Sequence, residues 1–265
     1  MASTGHGGEP GGPARPAAGE PQGARGRVAA SAQVFVDDLA DPEPEPGSAH
    51  HLARVLRLRP GEVVVAADGV GRWRLCRYRG EPGRSRGRPT LDVAGPVEHE
   101  VPPARPLAVA FAPPKGDRSD WVVQKLTELG IDRMVVLATD RTVVRWEEGR
   151  VERALDRLRR VAREAAAQSR RVWLPSVEGV VALADLLVAE PGVVLAQMGS
   201  APPRGPLDVV AVGPEGGWSA AEIALGAPTI GLGPHVLRTE TAAVAAGVAL
   251  GLARAATVSG EAARP

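Results

Sequence analysis

The chain contains little cysteine, little lysine and few aromatic side chains, and it has no long apolar run. Its one cysteine, Cys76, cannot form a disulfide within the chain, which fits a reducing cytoplasm. The longest apolar run, Thr241 to Ala253, is shorter than the roughly 20 residues that cross a bilayer, so it predicts a buried helix. Residues 1–27 lack the apolar core of a signal peptide. We therefore expect a cytoplasmic protein with no membrane partner, and the sequence predicts no metal site.

Because lysine is scarce, arginine supplies 30 of the 32 basic residues. The net charge is only +1, but its distribution is uneven. Ten arginines accompany three acidic residues between His50 and Thr90, and ten accompany five between Arg141 and Arg171. From Val172 onward, four arginines accompany eight acidic residues. Two local basic segments are typical of a protein that binds a polyanion, and equally of a solvated arginine-rich surface, so charge alone leaves both interpretations open.

The first third of the chain predicts a small β-barrel. Residues 1–27 are rich in Gly, Pro and Ala, so they are predicted to be a disordered extension. Residues 28–100 then alternate strand patterns with tight turns, in the stretches "QVFVDD", "EVVVAAD", "RWRLCRY" and "TLDVAG". One helix, "SAHHLARVLRL", is predicted among them with Ser48 as its N-cap. The proline-rich stretch Gly95 to Pro106 is the predicted domain boundary.

Residues 101–258 predict an α/β domain, and residues 259–265 a short tail. Strand patterns occur at "LAVAFA", "RMVVLAT", "GVVLAQ", "LDVVAVG" and "TIGLG". Helices are predicted between and after them, one capped by Ser119, one from Val151 to Gln168, and a closing one from about Glu240 to Ala256. Alternation of strands and helices predicts a parallel sheet with helices on both faces.

Two glycine-containing loops follow strands late in this domain. "GPEGG" (Gly213 to Gly217) follows one strand, and "GLGPHVLRTETA" (Gly231 to Ala242) leads from the next into the last helix. Ligands collect at the carboxyl ends of such strands. The late position argues against a Rossmann fold, and neither loop has the Gly-Lys-Ser/Thr ending of a P-loop. Each loop alone also has a purely structural interpretation: a tight turn for the first, and for the second helix capping by Thr239 with Glu240 complementing the helix dipole.

Taken with other stretches, these loops resemble the SPOUT superfamily of RNA methyltransferases, specifically its RsmE type. The first domain resembles the PUA-like barrel of that family through "HHLARVLRLRPGE" (His50 to Glu62). The matching stretches of the second domain occur in the family's order: "KGDR" (Lys115 to Arg118), "QKLTELGI" (Gln124 to Ile131), "REAAAQSRR" (Arg163 to Arg171), "GPEGGWS" (Gly213 to Ser219) and "LGPHVLRTETA" (Leu232 to Ala242).

The resemblance implies an S-adenosylmethionine-dependent homodimer whose C-terminal domain contains a trefoil knot. The implied product is 3-methyluridine in small-subunit (16S) ribosomal RNA. The implied cofactor-binding residues are those of the two loops and two neighbouring strand ends: Leu137, Gln197, Gly213, Pro214, Glu215, Gly216, Gly217, Leu232, Gly233, Leu237, Thr241 and Ala242. Glycine suits such a pocket, because backbone groups can contact a ligand closely only where no Cβ intervenes.

The reaction itself suggests the catalytic residues. Uracil N3 carries a proton at neutral pH, so an enzyme must help remove it or stabilise the resulting anion. As a hypothesis, Arg238 stabilises negative charge on the uracil oxygens, and Glu240 is the nearest candidate base. Glu215 is a second candidate base, or it only shapes its loop.

RNA contacts are expected from the basic segments. The candidates are Arg54, Arg57 and Arg59 in the barrel, Lys115 and Arg118 in the second domain, and the loop arginines Arg84, Arg86 and Arg88. With only eight aromatic residues, recognition by shape and backbone is expected over extensive base stacking.

The chain departs from the family pattern in two places. Gln33 and Val34 stand where the family usually has a basic and aromatic pair, and Gln197-Met198 stands where it often has His-Glu. Two other functions stay open: a SPOUT methyltransferase with another RNA target, and a non-catalytic RNA-binding protein of ribosome assembly.

Overall fold

The computed structural model describes residues 22–80, 90–143 and 148–262. Residues 1–21 of the predicted extension, the loop arginines Arg84, Arg86 and Arg88, and residues 263–265 lie outside the described residues. Helix α1 (Gln22–Ala29) occupies the end of the stretch that was predicted to be disordered as far as Arg27. Its contacts explain the difference, because the Arg27 guanidinium lies 5.4 Å from the centroid of the Trp73 ring and pairs with Glu100 at 2.7 Å.

The first domain is built on a five-stranded sheet in the order β1-β2-β3-β4, with β5 also paired to β3. β1 and β2 are parallel, and the other pairs are antiparallel. Val64, Ala66, Cys76 and Tyr78 form its core with Leu52. The strands are β1 (Ala32–Phe35), β2 (Val63–Ala67), β3 (Arg72–Arg79), β4 (Thr90–Val93) and β5 (Glu98–His99).

The helix of this domain begins earlier than predicted. Helix α2 (Pro46–His50) has Glu45 at its N-cap without a side-chain hydrogen bond, so the prediction that Ser48 caps it is wrong. Proline fits the first helical turn, where its missing N–H costs no hydrogen bond. The helix continues as a single π-type turn over His51–Val55.

The second domain contains a six-stranded sheet in the order β11-β9-β10-β6-β7-β8, and every pair in it is parallel, which confirms the predicted sheet. Its strands are β6 (Ala108–Phe111), β7 (Arg133–Ala138), β8 (Ser176–Ala182), β9 (Val193–Ala196), β10 (Val209–Val212) and β11 (Thr229–Ile230). Its helices are α3 (Arg118–Glu128), α4 (Glu148–Gln168), α5 (Leu183–Ala189), α6 (Ala220–Ala224) and α7 (Thr239–Ala262).

Alternate residues of the sheet supply two separate cores. Val109 and Phe111 of β6 join the core formed with α3, α4 and α7, whereas Ala108 and Ala110 join the core on the other face, with α5 and Trp218. This alternation is the period of two that strands impose, and it confirms that helices cover both faces.

Four features of this domain differ from the prediction: two elements, one helix cap and one helix end. β8 and α5 were not predicted, because Glu178 and Gly179 interrupt the apolar pattern, and Gly179 sits at a register shift opposite Val135 and Val136. Asp117 occupies the N-cap of α3 while Ser119 is buried inside its first turn, so Ser119 is not the cap. The final helix extends to Ala262, through the first part of the predicted tail.

The two domains share a buried contact. Val70 of the first domain forms an antiparallel bridge with Trp173 of the second. Gly71 has φ of +95°, and a Cβ added there would lie 2.4 Å from the Trp173 ring, so only glycine fits this approach. Buried residues of both domains complete the contact: Ala30, Phe35, Val65, Ala67, Trp73, Ala166 and Val172.

Gln33, one of the departures from the family pattern, lies in this contact. It is 5% exposed, and its side-chain amide donates to the carbonyl of Arg171 at 2.5 Å. Its place in the domain contact explains why the position does not present a basic side chain to RNA.

Candidate active site

A cavity lies where three neighbouring parallel strands, β9, β10 and β11, end at the same edge of the sheet. Its volume is about 420 Å³, within the range of small-molecule sites. Its wall is lined by the segments that follow these strands and by the start of α7: Ala196, Gln197, Met198, Val212, Gly213, Pro214, Glu215, Gly216, Gly217, Trp218, Ile223, Leu232, Gly233, His235, Val236, Leu237, Thr239 and Ala242.

The GPEGG loop is a tight turn and also a wall of this cavity. The Gly217 amide donates to the carbonyl of Pro214 at 2.8 Å, and Gly217 has φ of +69°, a conformation that glycine adopts without strain. A Cβ on Gly213 would lie 3.1 Å from the Trp218 ring. The Trp218 indole nitrogen donates to the carbonyl of Ala196 at 3.0 Å, which joins this loop to the end of β9.

The loop after β11 crosses the loop after β9 at very short range. The Gly231 amide donates to the Ala201 carbonyl at 2.7 Å, and a Cβ on Gly231 would lie 2.2 Å from the Ser200 carbonyl oxygen. Glycine is therefore required at this crossing. Such a crossing is what a knotted chain needs, although the trefoil knot itself stays a prediction.

Thr239 joins the two glycine loops. Its hydroxyl donates to the carbonyl of Gly213 at 3.2 Å, and the residue is 2% exposed. This contact differs from the capping role that the sequence also allowed. The first turn of α7 is thereby fixed to the cavity wall.

The two predicted catalytic residues flank Thr239. Arg238 is exposed, and within the described residues its guanidinium has no hydrogen-bond or ion-pair partner. The Glu240 side chain is 13% exposed, and one of its oxygens lies 3.3 Å from an Arg118 guanidinium nitrogen. Its other oxygen, Oε2, is buried and has no partner among the described residues. A buried carboxylate oxygen without a partner is unusual enough to indicate a function.

Comparisons with known proteins identify the family. Residues 101–251 match the model of an RNA methyltransferase domain, and residues 45–85 match that of an RNA methyltransferase PUA domain. Ribosomal RNA small subunit methyltransferase E of Mycobacterium bovis is 39% identical over 222 residues, which are 76% of this chain and 82% of that protein. The chain belongs to this RNA methyltransferase family.

Two further relatives agree. Ribosomal RNA small subunit methyltransferase E of Bacillus subtilis is 29% identical over 73% of this chain and 82% of its own length. A solved structure of a Legionella pneumophila methyltransferase in complex with the cofactor SAM is 27% identical, with a TM-score of 0.71, and covers 83% of this chain and 97% of that one. The predicted α/β domain preceded by a PUA-like domain is confirmed by these matches.

The structure brings together most of the predicted cofactor residues of this RNA methyltransferase. Ten of the twelve line the cavity: Gln197, Gly213, Pro214, Glu215, Gly216, Gly217, Leu232, Gly233, Leu237 and Ala242. Leu137 is fully buried in the core on the α5 face, and Thr241 is exposed outside the cavity lining. Four lining residues were not among the predicted ones: Trp218 directly follows the first loop, His235 and Val236 lie within the second, and Met198 follows Gln197 after β9.

The cavity fits S-adenosylmethionine in its chemistry. Within the described residues, the amides of Gly216, Leu232 and Leu237 have no hydrogen-bond partner in the chain, so they can bind polar groups of a ligand. Trp218 and Ile223 add apolar surface for a planar base. Backbone groups and apolar walls are the usual lining of such sites.

The predicted RNA-binding residues separate into two groups. Arg57, Arg59 and Lys115 are exposed and have no partner among the described residues, and Arg54 is also exposed. Arg118 instead pairs with Glu240 beside the cavity. Arg57, Arg59 and Lys115 therefore have guanidinium or ammonium groups that no described residue engages, whereas Arg118 is paired with Glu240.

Two kinds of feature are absent from residues 22–80, 90–143 and 148–262. No cluster of three or more His, Cys, Asp or Glu residues could hold a metal ion. No helix there is both long enough and apolar enough to cross a membrane.

Proposed function

We propose that this chain uses S-adenosylmethionine to methylate N3 of a uridine in small-subunit (16S) ribosomal RNA. The observation that carries the proposal is the cavity between the two glycine loops, with Arg238 directly before α7 and Glu240 in the first turn of that helix. The relatives named for ribosomal RNA small subunit methylation support the RNA target, and the SAM complex of the Legionella relative supports the cofactor.

The cofactor supplies a methyl group on a sulfonium that needs little activation once it is positioned. The chain must therefore hold the uracil and deal with its N3 proton. Arg238, with a guanidinium that no described residue engages, stabilises the negative charge that develops on a uracil oxygen.

Glu240 is the proposed acceptor of the N3 proton. Its Oε2 atom is buried and has no partner among the described residues, while Arg118 holds the other side of the carboxylate. This arrangement keeps one oxygen unoccupied for a proton. Glu215 lines the cavity in the GPEGG loop, and we assign it to shaping that loop.

We propose that the functional unit is a cytoplasmic homodimer. Helix α7 exposes Val248 and Leu252 on its surface. Beside them lies an apolar groove of about 570 Å³, lined by Pro203, Gly205, Pro206, Ala249, Leu252, Ala253 and Ala256. An exposed apolar helix face of this kind suits an isologous contact with a second copy.

Two experiments test the proposed function. In calorimetry, the purified protein should bind S-adenosylmethionine with a saturable heat, and a non-catalytic assembly protein should give none. In a strain that lacks the gene, mass spectrometry of 16S ribosomal RNA should show the loss of 3-methyluridine at one site, restored by the intact gene. An unchanged 3-methyluridine content would refute the proposed target.

A further inference from the structure

A loop outside the cavity contacts the backbone of the GPEGG segment and the start of helix α6, which follows that segment. This loop, Thr139–Thr142, follows β7, and we call it the β7 loop. It is closed on itself, because the Thr142 amide donates to the Thr139 carbonyl at 3.1 Å and the two hydroxyls lie 2.6 Å apart. A closed turn of this kind is a rigid support for its neighbours.

The first contact of the β7 loop fixes the glycine backbone directly. The Arg141 guanidinium donates to the carbonyl of Gly216 at 2.8 Å, and its aliphatic stem lies where a Cβ on Gly216 would meet it at 3.4 Å. Gly216 itself lines the cavity, whereas Arg141 does not. The guanidinium therefore acts on the cavity through a backbone carbonyl.

The second set of contacts fixes the N-terminus of α6, which begins shortly after the same segment. The Ser219 hydroxyl donates to the Asp140 carboxylate at 2.5 Å, and the Asp140 amide donates to Glu222 Oε1 at 3.0 Å. Glu222 Oε2 accepts from the Ser219 amide at 2.7 Å, and the Ser219 hydroxyl accepts from the Glu222 amide at 3.1 Å. Glu222 is 6% exposed, and both of its carboxylate oxygens are hydrogen-bonded.

These contacts act on a segment that has few restraints of its own. Within GPEGG, one hydrogen bond closes the turn, from the Gly217 amide to the Pro214 carbonyl. From α7, the Thr239 hydroxyl donates to the Gly213 carbonyl. Glycine loses more conformational freedom on ordering than other residues, so an unsupported loop would have to be ordered by the ligand at the expense of affinity. External hydrogen bonds made before binding remove that cost.

We propose that the β7 loop is a positioning element that sets the affinity of the cavity for its cofactor without contacting it. It acts through Arg141, which holds the Gly216 carbonyl, and through Asp140, which holds Ser219 and Glu222. The inference rests on the proposed function, since S-adenosylmethionine is the ligand whose affinity it concerns. Arg141 and Asp140 are positioning residues, and Gly216 is the backbone position through which they act.

The test compares two exposed arginines that each donate to a glycine carbonyl. Arg141→Ala removes the 2.8 Å contact with Gly216, and Arg77→Ala removes a 2.9 Å contact with Gly61 in the first domain. Calorimetry should show the Kd for S-adenosylmethionine rising by about tenfold in Arg141→Ala, the change that corresponds to loss of a charged hydrogen bond. Arg77→Ala should leave that Kd unchanged, and Arg141→Lys, which keeps one donor, should recover part of the affinity.

Three further readouts separate positioning from simple destabilisation. Without ligand, the melting temperature of Arg141→Ala should match that of Arg77→Ala. With saturating cofactor, kcat of Arg141→Ala should stay within about twofold of wild type, because positioning before binding affects KM first. Asp140→Asn and Ser219→Ala should each raise the Kd, and the double variant should raise it by less than the product of the two changes.

The outcomes are distinct. If the wild type binds the cofactor and Arg141→Ala has the same Kd, the positioning role is overturned and the proposed function is left intact. A wild type that gives no heat with S-adenosylmethionine overturns the proposed function instead. A fall in kcat at saturating cofactor with no change in Kd would place Arg141 in the reaction and contradict the inference.

Discussion

The two arginine-rich segments of this protein have similar composition and use their arginines differently. In the segment Arg141 to Arg171, most of the described guanidinium groups are paired with other groups of the chain. Arg157 pairs with Asp117 and Asp120, Arg159 with Glu152 and Asp156, and Arg163 with Glu45 of the first domain. In the segment His50 to Thr90, by contrast, Arg57 and Arg59 are exposed without partners among the described residues.

The segment His50 to Thr90 itself contains both engaged and unengaged arginines. Arg72 and Arg79 pair with acidic residues, and Arg74 and Arg77 donate to backbone carbonyls of their own domain. Among the arginines of this segment that the structure describes, Arg57 and Arg59 are thus the two left for an external anion. A count of charges locates basic segments, but the partners of each guanidinium decide whether it is structural or available to RNA.

The largest expected effect comes from removing an arginine that is paired within the chain. Arg171 is 15% exposed, burial lowers its pKa, and it donates to the carbonyls of Thr127 and Ile131 and to Asp132. Arg171→Met should lower the free energy of unfolding by about 3 kcal/mol, the usual cost of breaking a buried charged pair. Urea unfolding measures it, and a loss below about 1 kcal/mol would contradict the buried network.

The next largest effect comes from removing the exposed arginines that we expect to contact RNA. The variant Arg57→Ala with Arg59→Ala should weaken binding to a 16S ribosomal RNA fragment by about tenfold and reduce the slope of log K against log salt by about 1.5. Its stability should change by no more than about 0.5 kcal/mol, since both side chains are exposed. Filter binding at several salt concentrations gives the affinity and the slope.

A matched control comes from the other segment. Arg159→Ala removes an exposed arginine that is paired with Glu152 and Asp156. It should leave both the RNA affinity and the salt slope unchanged. Equal losses of affinity in Arg159→Ala and in the Arg57 and Arg59 variant would show that the distinction between the two segments is false.

The smallest effect concerns the pH dependence of the ion pair that Asp68 forms with Arg72, an arginine of the segment His50 to Thr90. Burial raises the pKa of Asp68, but hydrogen bonds from Val70 and Arg72 outweigh it and hold the pKa below its ordinary value. The pairing with Arg72 therefore stabilises the fold above the ordinary pKa of aspartate, about 3.9, and is lost as pH falls through the lowered value.

Unfolding of wild type and Asp68→Asn as a function of pH tests this contribution. The difference in free energy of unfolding between the two proteins should be constant near neutral pH and shrink below about pH 4. If the difference in free energy of unfolding stays the same across the acid range, the charged pair does not stabilise the fold.

Much of the fold could be predicted from the sequence, because its signals are local. The apolar periods of β6, β7, β9 and β10 and of α4 identified the parallel sheet and its longest helix. β8 was missed because Gly179 produces a register shift inside the strand, and a strand that contains a bulge loses its regular period. Helix α1 was missed because contacts of Arg27 with Trp73 and Glu100 hold it, and these contacts lie far apart in sequence.

The cavity could be predicted as well, since both of its glycine loops have distinctive sequences. The contacts that support it could not. The approach of the β7 loop to Gly216 joins residues 75 positions apart, and the use of Gln33 as a domain contact joins residues 138 apart. Single residues gave no sign of either partner, because both contacts depend on how the strands are ordered in space.

The most direct test is the methylation of unmodified 16S ribosomal RNA by the purified protein with S-adenosylmethionine, followed by mass spectrometry of the nucleosides. The wild type should produce 3-methyluridine, and Arg238→Ala should slow its formation by about 100-fold while binding the cofactor with unchanged affinity. Methylation at another atom or nucleotide, or full activity in Arg238→Ala, would contradict the account.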